Sequence, residues 1–522
     1  MLEHKMQSES GPVGAREPLR LWVSLLSGEK AAVEAQPEDE IRAVRCKAQR
    51  ILRRPLVGLA IATTSSSSIE EPLPSATTVK DAGLHDGCVL SALVGQLRVH
   101  ATRFAFAACQ GDGSVVTWGS PFAGGDATAV SAELSDDVQD VTPNIMAFAA
   151  VKCDGSVVAW GHQACGGHLS LELQEELSSG VKRVFASSRA FAALKRDGSI
   201  VCWGCHYHGA GFRAAAEETP ARAVQRIYST HCAFAGVNGE GGVVTWGHGS
   251  GGGDSAAVRE QLLADVKHVC STDSAFAAVK QSGLVVTWGN VLGGGDSDAE
   301  RELLESGVQK VFSTEQAFAA LKSDGSVVVW GNELFGGSSQ IQEQLGFGVR
   351  DIGSTSAAFA AVKDDGSVVA WGNELLGGCT SEVQEELVGV HRVYATSSAF
   401  AAVKHDGSVV TWGDSRAGGD SSDVSAELLS DVTHISSTHA AFAALKHNGS
   451  VVTWGCEVYG GNSSKVADQL QEGVLRIYAA ECAFLAVKTT GAIVTWGYPR
   501  YGGSCESVRD QLLGEVLRFG AV

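Results

Sequence analysis

Methionine and proline are scarce in this chain, and positive charge is in deficit. Its 522 residues include only 3 Met and 10 Pro, and 40 Lys and Arg stand against 59 Asp and Glu, a formal charge of −19. No basic run exceeds short pairs such as Arg53-Arg54. Nucleic-acid binding needs a positive surface that displaces counterions from phosphate, so no direct nucleic-acid partner is expected. Long apolar runs are missing as well. Nothing approaches the roughly 20 apolar residues of a membrane span, and the start, MLEHKMQSESGPVGARE, lacks the apolar core of a secretory signal. These absences lead us to expect an intracellular protein, cytoplasmic or nuclear, that does not engage membranes.

Other features are present in excess. Glycine reaches 63 residues, placed at regular intervals, which argues for many tight turns and against a disordered tract. The 13 cysteines are odd in number and scattered, as expected of reduced and mostly buried thiols. The length exceeds one ordinary domain.

From residue 97 onward one sequence unit recurs. AFAALKSDGSVVVWGNELFGG (317–337) returns as AFAAVKDDGSVVAWGNELLGG (358–378) and AFAAVKHDGSVVTWGDSRAGG (399–419). Tryptophan keeps the register, from Trp118 and Trp160 to Trp454 and Trp496, in ten copies spaced 41 to 43 residues apart. Such a period marks a propeller or a solenoid. Around Trp330, VQKVFST and AFAALK read as strands, and Asp-Gly joins AFAALK to VVVWG in a tight hairpin. Nine copies carry Gly-Gly six and seven residues after the tryptophan; the third has Gly209-Ala210. A short amphipathic piece such as IQEQL leads onward, so one unit comprises three strands and a brief helical turn. Alternation sets Phe318 and Ala320 on one face and Ala317, Ala319 and Leu321 on the other. Both faces are apolar, so each sheet is predicted to lie between two neighbours, and the twist of sheets favours a ring over an open solenoid.

This unit, with its apolar strand, D-G, second strand, W-G and following glycine, resembles the repeat of the regulator of chromosome condensation family. Its short period is closer to the three-stranded blades of the β-lactamase inhibitory protein of that superfamily. The resemblance covers about residues 97–522 and implies a β-propeller. Relatives close with seven blades, whereas ten copies are present here, and the terminal VLRFGAV reads as an eleventh copy of the first strand, able to seal a ring.

The repeat explains the one chemical motif that stands out. In VCWGCHYHG, Cys202, Cys205 and His206 have the spacing of a c-type haem site, and His208 follows. Trp203-Gly204 are the repeat's own pair, however, so the C-x-x-C is generated by register. Strand residues three apart point to opposite faces, which suits neither haem attachment nor a tetrahedral metal. The Asp-Gly-Ser elements read as turn chemistry. No Ser/His/Asp or Cys/His arrangement follows from the pattern. The expectation is no catalytic residue, no cofactor and no metal.

Residues 1–18 read as a flexible tail, and 19–96 read differently from the array. Residues 19–52 suggest a hairpin turning at Ser27-Gly28-Glu29 and then a helix with Ile41, Val44, Ala48 and Ile51 on one stripe. VGLAIAT, a Ser/Pro-rich loop and TVKDAGLHDGCVLSALV follow. The element order and the T-V-K-D-A-G-L-x-D-G motif resemble a ubiquitin-like β-grasp domain. That resemblance maps the recognition patch onto Leu26, Ala60 and Leu93. Val94-Gly95-Gln96 runs on into the array, so conjugation through a free Gly-Gly end is not expected.

The fold class expected is therefore mainly β: a propeller of ten three-stranded repeats of about 42 residues, preceded by a small α+β ubiquitin-like domain. The function expected is a non-enzymatic scaffold or adaptor whose partners are other proteins. The variable segments after W-G nominate Phe335, Tyr459, Tyr498 and Tyr501 as contact anchors. Alternatives are a guanine nucleotide exchange factor-like regulator of a small GTPase, or a substrate-recognition subunit of a ubiquitin ligase. With the array running to Val522, a HECT catalytic domain is not expected, nor, without a signal peptide, is an inhibitor of a secreted enzyme.

Overall fold

The structure is a computed structural model, and it describes residues 18–25, 29–52, 56–61, 73, 77–94, 97–111, 113–214, 224–341, 343–509 and 511–512. The tail 1–17, Leu26, the turn at 27–28, Gly95-Gln96 and the terminal VLRFGAV lie outside these residues. The chain separates into two compact units that meet in sequence near residue 97.

In the first unit, β1 (Leu19–Ser24) and β2 (Lys30–Ala35) form an antiparallel hairpin, α1 spans Ile41–Leu52, and β3 (Leu56–Ile61) and β4 (Val89–Val94) complete a sheet of order β2-β1-β4-β3. The central pair β1·β4 is parallel. Period-two alternation sends Leu21 and Val23 into the core, while Trp22 stays 38% exposed. The helix covers that core with Ile41, Val44, Ala48 and Leu52. Ile51, expected on this stripe, is 55% exposed. Positions 51 and 52 flank the stripe set by Ile41, Val44 and Ala48 at nearly equal angles, and packing against the sheet takes Leu52.

Among the described residues of the second unit, ten sheets follow one another, each antiparallel and built from three consecutive strands. The third adds a short fourth strand, Arg213–Ala214. In the sixth, Val308–Ser313, Ala317–Lys322 and Val327–Gly331 pair in sequence order. Its hairpin turn is held by its own side chains: both the Ser326 backbone N–H and its hydroxyl bond to Asp324 Oδ1, at 2.9 and 2.6 Å. Lys322, at the end of the middle strand, reaches back to the Leu303 carbonyl at 2.8 Å, which ties the helical turn to the sheet.

Packing between sheets follows a large-on-small rule. Phe318 stands directly opposite Trp330, their rings stacked at 5.1 Å, and this face covers Ala275, Ala277 and Val279 of the preceding unit. The opposite face of the same sheet, Ala317, Ala319 and Leu321, receives Phe359 and Trp371 of the next. Alanine is needed on that face because two aromatic rings leave no room for more. The first glycine of each pair sits at the same junction. Gly336 has φ +98°, and a Cβ there would stand 2.7 Å from the Phe359 ring. One fully buried Phe contributes roughly 1.5–3 kcal/mol, and ten of them (Phe106 to Phe484) are completely buried. The exposed ion pairs among the described residues are worth about 0–1 kcal/mol each, so these junctions dominate the fold.

The last unit meets the first by the same rule. Phe106, Ala108 and Trp118 pack with Ala483 and Leu485. A second set of contacts runs around the axis. The backbone N–H of Arg103 donates to the Ile145 carbonyl, and the N–H of Ile145 to that of Ser188. The chain of bonds continues through His231, Asp273, Glu315, Ser356, Ser397 and His439 to Glu481, whose N–H donates to Arg103, all at 2.9 to 3.3 Å. Mainly β architecture, with three-stranded sheets stacked in propeller fashion, is thus what the sequence led us to expect.

Candidate interaction surfaces

Two regions of the array gather side chains that differ between units, and both follow from how the strands run. The first strand of each unit lies against the first strands of its neighbours, so this strand is innermost. The loop that leaves it carries the residues of the circular hydrogen-bond chain. There an open depression of about 710 Å³ is lined by Arg103, His231, Asp273, Glu315 and Glu481 among others.

The charges at this end interact. Arg103 pairs with Glu481 across the junction of the last and first units, Nε to Oε2 at 2.8 Å. Asp273 and Glu315 stand in successive units, and burial lifts both carboxyls above their ordinary range. The Asp273 charge lifts Glu315 further, while His231 and Arg103 pull Asp273 back. No group of three or more His, Cys, Asp or Glu among the described residues has the geometry of a metal site.

The second region is the row of turns after W-G. Each is a single 3-10 turn whose preceding residue is extended; in the sixth unit Asn332 caps Glu333–Phe335, its side chain accepting from the Leu334 N–H. A buried threonine at the end of the first strand fixes the turn from below: Thr314 Oγ1 donates to the Phe335 carbonyl at 2.9 Å, and Thr272, Thr355 and Thr438 do the same for Gly293, Leu376 and Tyr459. The third residue of the turn is thereby drawn down onto the sheet and the second is lifted into solvent.

Phe335, Tyr459 and Tyr501 take the third place of their turns, and Tyr498 precedes its turn. Phe335 is half-buried against the core between its own sheet and the next. Tyr459 likewise packs inward, with the His439 ring 5.5 Å away. Tyr498 and Tyr501 form an aromatic cluster with Phe104, at 4.7 and 4.5 Å. The residues that project instead are Leu292, Leu334 and Leu375, in three successive units and 71%, 71% and 80% exposed. Phe122, Tyr207 and Val458 hold the same place elsewhere in the array, at 76%, 72% and 52%. The residue before the turn gives no such signal: Asn290, Asn332 and Asn373 precede three of the projecting residues, and Ser120, Cys205 and Cys456 precede the others. In the first unit, Ala60 is 1% exposed and offers no contact patch, because it lies within strand β3 paired with Ser91. Leu93 pairs with Gly58 in the backbone register; its side chain and Leu26 lie outside the described residues.

The cysteine-histidine cluster is divided by the fold. Cys202 is buried in the core between the third and fourth sheets, where burial pushes its thiol up to about 12, partly opposed by the Trp246 indole. Cys205 instead precedes the turn, 3.1 Å from His208 Nδ1. This junction departs from the others. Phe212 stacks on Trp246 at 4.7 Å, where the third unit has Ala210 in place of the second glycine.

No family model and no curated protein matches the chain. Among solved structures, the CRINKLY WD40 ectodomain of the Arabidopsis thaliana receptor kinase ACR4 is 16% identical, covering 51% of this chain and 92% of its own, with a TM-score of 0.30. Prp20p from Saccharomyces cerevisiae, studied for its binding to Gsp1p and histones, is 15% identical over 63% of this chain and 83% of its own, with a TM-score of 0.31. The computationally designed Ika8 protein is 14% identical over 61% and 96%, with a TM-score of 0.28. Likenesses at these scores carry no argument, and the fold stands on its own hydrogen bonds and packing.

Proposed function

We propose that the chain is a non-enzymatic binding platform: a closed ten-bladed propeller that holds partner proteins on its turn face, with a ubiquitin-like domain at its start. The observation that carries this reading is the arc of Leu292, Leu334 and Leu375. Three leucines held outward at equivalent places, each on a turn pinned by threonine, form a rigid apolar ridge of the kind that anchors protein interfaces. The circular hydrogen-bond chain supports closure with ten blades. The sheet order β2-β1-β4-β3, with a parallel central pair and one covering helix, supports the ubiquitin-like reading of the first unit. Cys202, Cys379 and Cys482 are free thiols, which supports a reducing, intracellular setting.

The test is affinity capture from native lysate with the full chain and with a triple variant, Leu292→Ser, Leu334→Ser and Leu375→Ser. Partners lost in the variant, with thermal stability unchanged, are the expected result. Partners retained in full would remove the turn face from the reading. A small GTPase as the dominant partner would move the function to the alternative, a GTPase regulator. Ubiquitin-ligase components would specify an adaptor in that pathway.

A further inference from the structure

The innermost strands carry a pattern that the platform reading does not use. At the third place of this strand, six of the ten units have a cation: Arg98, Arg183, Arg226, Lys310, Arg392 and Arg476. Three more, Lys182, Lys267 and Arg350, occupy the second place. Asp140 and Asp351 are the only carboxylates at either place. In nine units the pairing slips between the first and third residues of the strand. Such a bulge turns both residues outward.

These side chains are neighbours around the axis. Arg98 pairs with Asp140 of the next unit at 3.9 Å, and Lys310 with Asp351 of the next at 3.6 Å. The Tyr228 hydroxyl lies 3.4 Å from His268 Nδ1, and that of Tyr394 lies 3.2 Å from His434 Nδ1. Hydroxyls such as Ser271 and Ser313 bond to the preceding first strand at 2.7 and 2.8 Å, holding the strands close. Each first strand belongs to its own sheet, and such hydroxyl bonds bring neighbouring first strands together around the axis.

We propose that this ring is a binding site for a compact polyanion bearing several phosphates, seated at one end of the axial channel. In a chain of charge −19, nine cations gather at one ring with two carboxylates, which pair with Arg98 and Lys310; the remaining cations repel one another, and a multivalent anion relieves that repulsion. The guanidinium and ammonium groups are already positioned. Lys310 lies 4.1 Å from the Phe312 ring centre, Arg183 lies 5.2 Å from that of Phe185, and Arg392 lies 5.5 Å from that of Tyr394. Those aromatic faces are therefore occupied and closed to stacked bases, which argues against single-stranded nucleic acid. At the channel's other end stand Asp273, Glu315 and Glu481, about 16 Å along the strand by its rise per residue. An anion is thus held at the basic end and does not pass through. A long polyanion would have to run over an acidic exterior.

The experiment is calorimetric titration of the full chain with inositol hexakisphosphate and with tripolyphosphate, each at low and high salt. Saturable one-site binding that weakens steeply with salt is expected. The triple variant Arg183→Gln, Arg392→Gln, Arg476→Gln should lose affinity at least about tenfold, whereas Arg259→Gln with Arg301→Gln, outside the first strands, should stay within about twofold. Acylation footprinting of the unmutated protein gives a readout free of folding defects: Lys182, Lys267 and Lys310 should be protected by the anion and Lys465 should not. Absent saturation, equal loss in both variants, uniform protection of all lysines, or tighter binding of a 20-nucleotide single strand or an acidic peptide would each overturn the proposal.

Discussion

The Trp118 indole donates to the Gly502 carbonyl at 3.2 Å, across 384 residues of sequence. Elsewhere the same bond joins a tryptophan to the unit just before it, as Trp330 does to Gly294 at 3.0 Å. The first and last units thus share the contact that joins every other adjacent pair for which it forms. Trp118→Phe removes one buried donor and should cost about 1 kcal/mol net. Gly502→Ala is harsher: φ is +100° and a Cβ would stand 2.5 Å from the Phe106 ring. Replacing it should cost more than about 2 kcal/mol and open the terminal unit to protease. Denaturant unfolding with limited proteolysis checks both; cleavage no faster than in the unmutated chain would contradict the role of this junction.

Surface leucines should behave oppositely. Leu334→Asp removes no buried contact, since the side chain is 71% exposed, so its melting temperature should stay within about 1–2 °C, a shift corresponding to less than about 0.5 kcal/mol. Binding of any turn-face partner should fall at least about tenfold, read by surface plasmon resonance. Leu304→Asp, at a buried position of the helical turn, should instead unfold its unit.

Acid should act through the hairpins. Asp197, Asp324 and Asp406 each accept two hydrogen bonds from the serine two residues on, and those bonds hold the carboxyls below their ordinary range. A carboxyl whose folded pKa is depressed contributes stability that is present above its unfolded value, near 3.9, and is lost as pH falls through the lower folded value. Melting temperature should therefore drop below about pH 4. Replacing all three with Asn, the residue at 448 that makes the same two bonds, should flatten that acid limb while leaving neutral stability nearly unchanged.

Thiol reactivity should sort by burial. Cys379 is exposed, whereas burial pushes Cys202 up to about 12 and Cys482 up to about 11. Alkylation at pH 8 followed by peptide mass spectrometry should label Cys379 first, and Cys202 and Cys482 only after unfolding. Early labelling of Cys202 would contradict its place between the third and fourth sheets.

Much of the fold is legible in the residues themselves. Asp-Gly between β-branched runs is a local signal, and the hairpin at Asp324-Gly325 needs only three residues to form. The alternation of Phe318 with Ala319 announces a sheet covered on both sides, because period two sends successive side chains to opposite faces. The exposed ridge is less legible. Phe335 is larger than Leu334 and looks the better anchor, yet a hydrogen bond from Thr314, 21 residues earlier, draws the Phe335 turn position down. The α1 stripe differs by one residue from expectation for a similar reason: Leu52 and Ile51 are alike in hydropathy, and only packing against the sheet chooses between them.

Sequence alone determined the unit: its three strands, its turns, its large and small faces and their tenfold recurrence, since all of these rest on interactions within about 42 residues. Tertiary structure decided what the units do together. Whether Phe106 finds an alanine face depends on Ala483, at the far end of the chain. The basic ring exists only because bulged first strands, unremarkable one at a time, converge on a common axis. Local chemistry repeats along a chain, but closure and convergence are properties of how the copies turn in space.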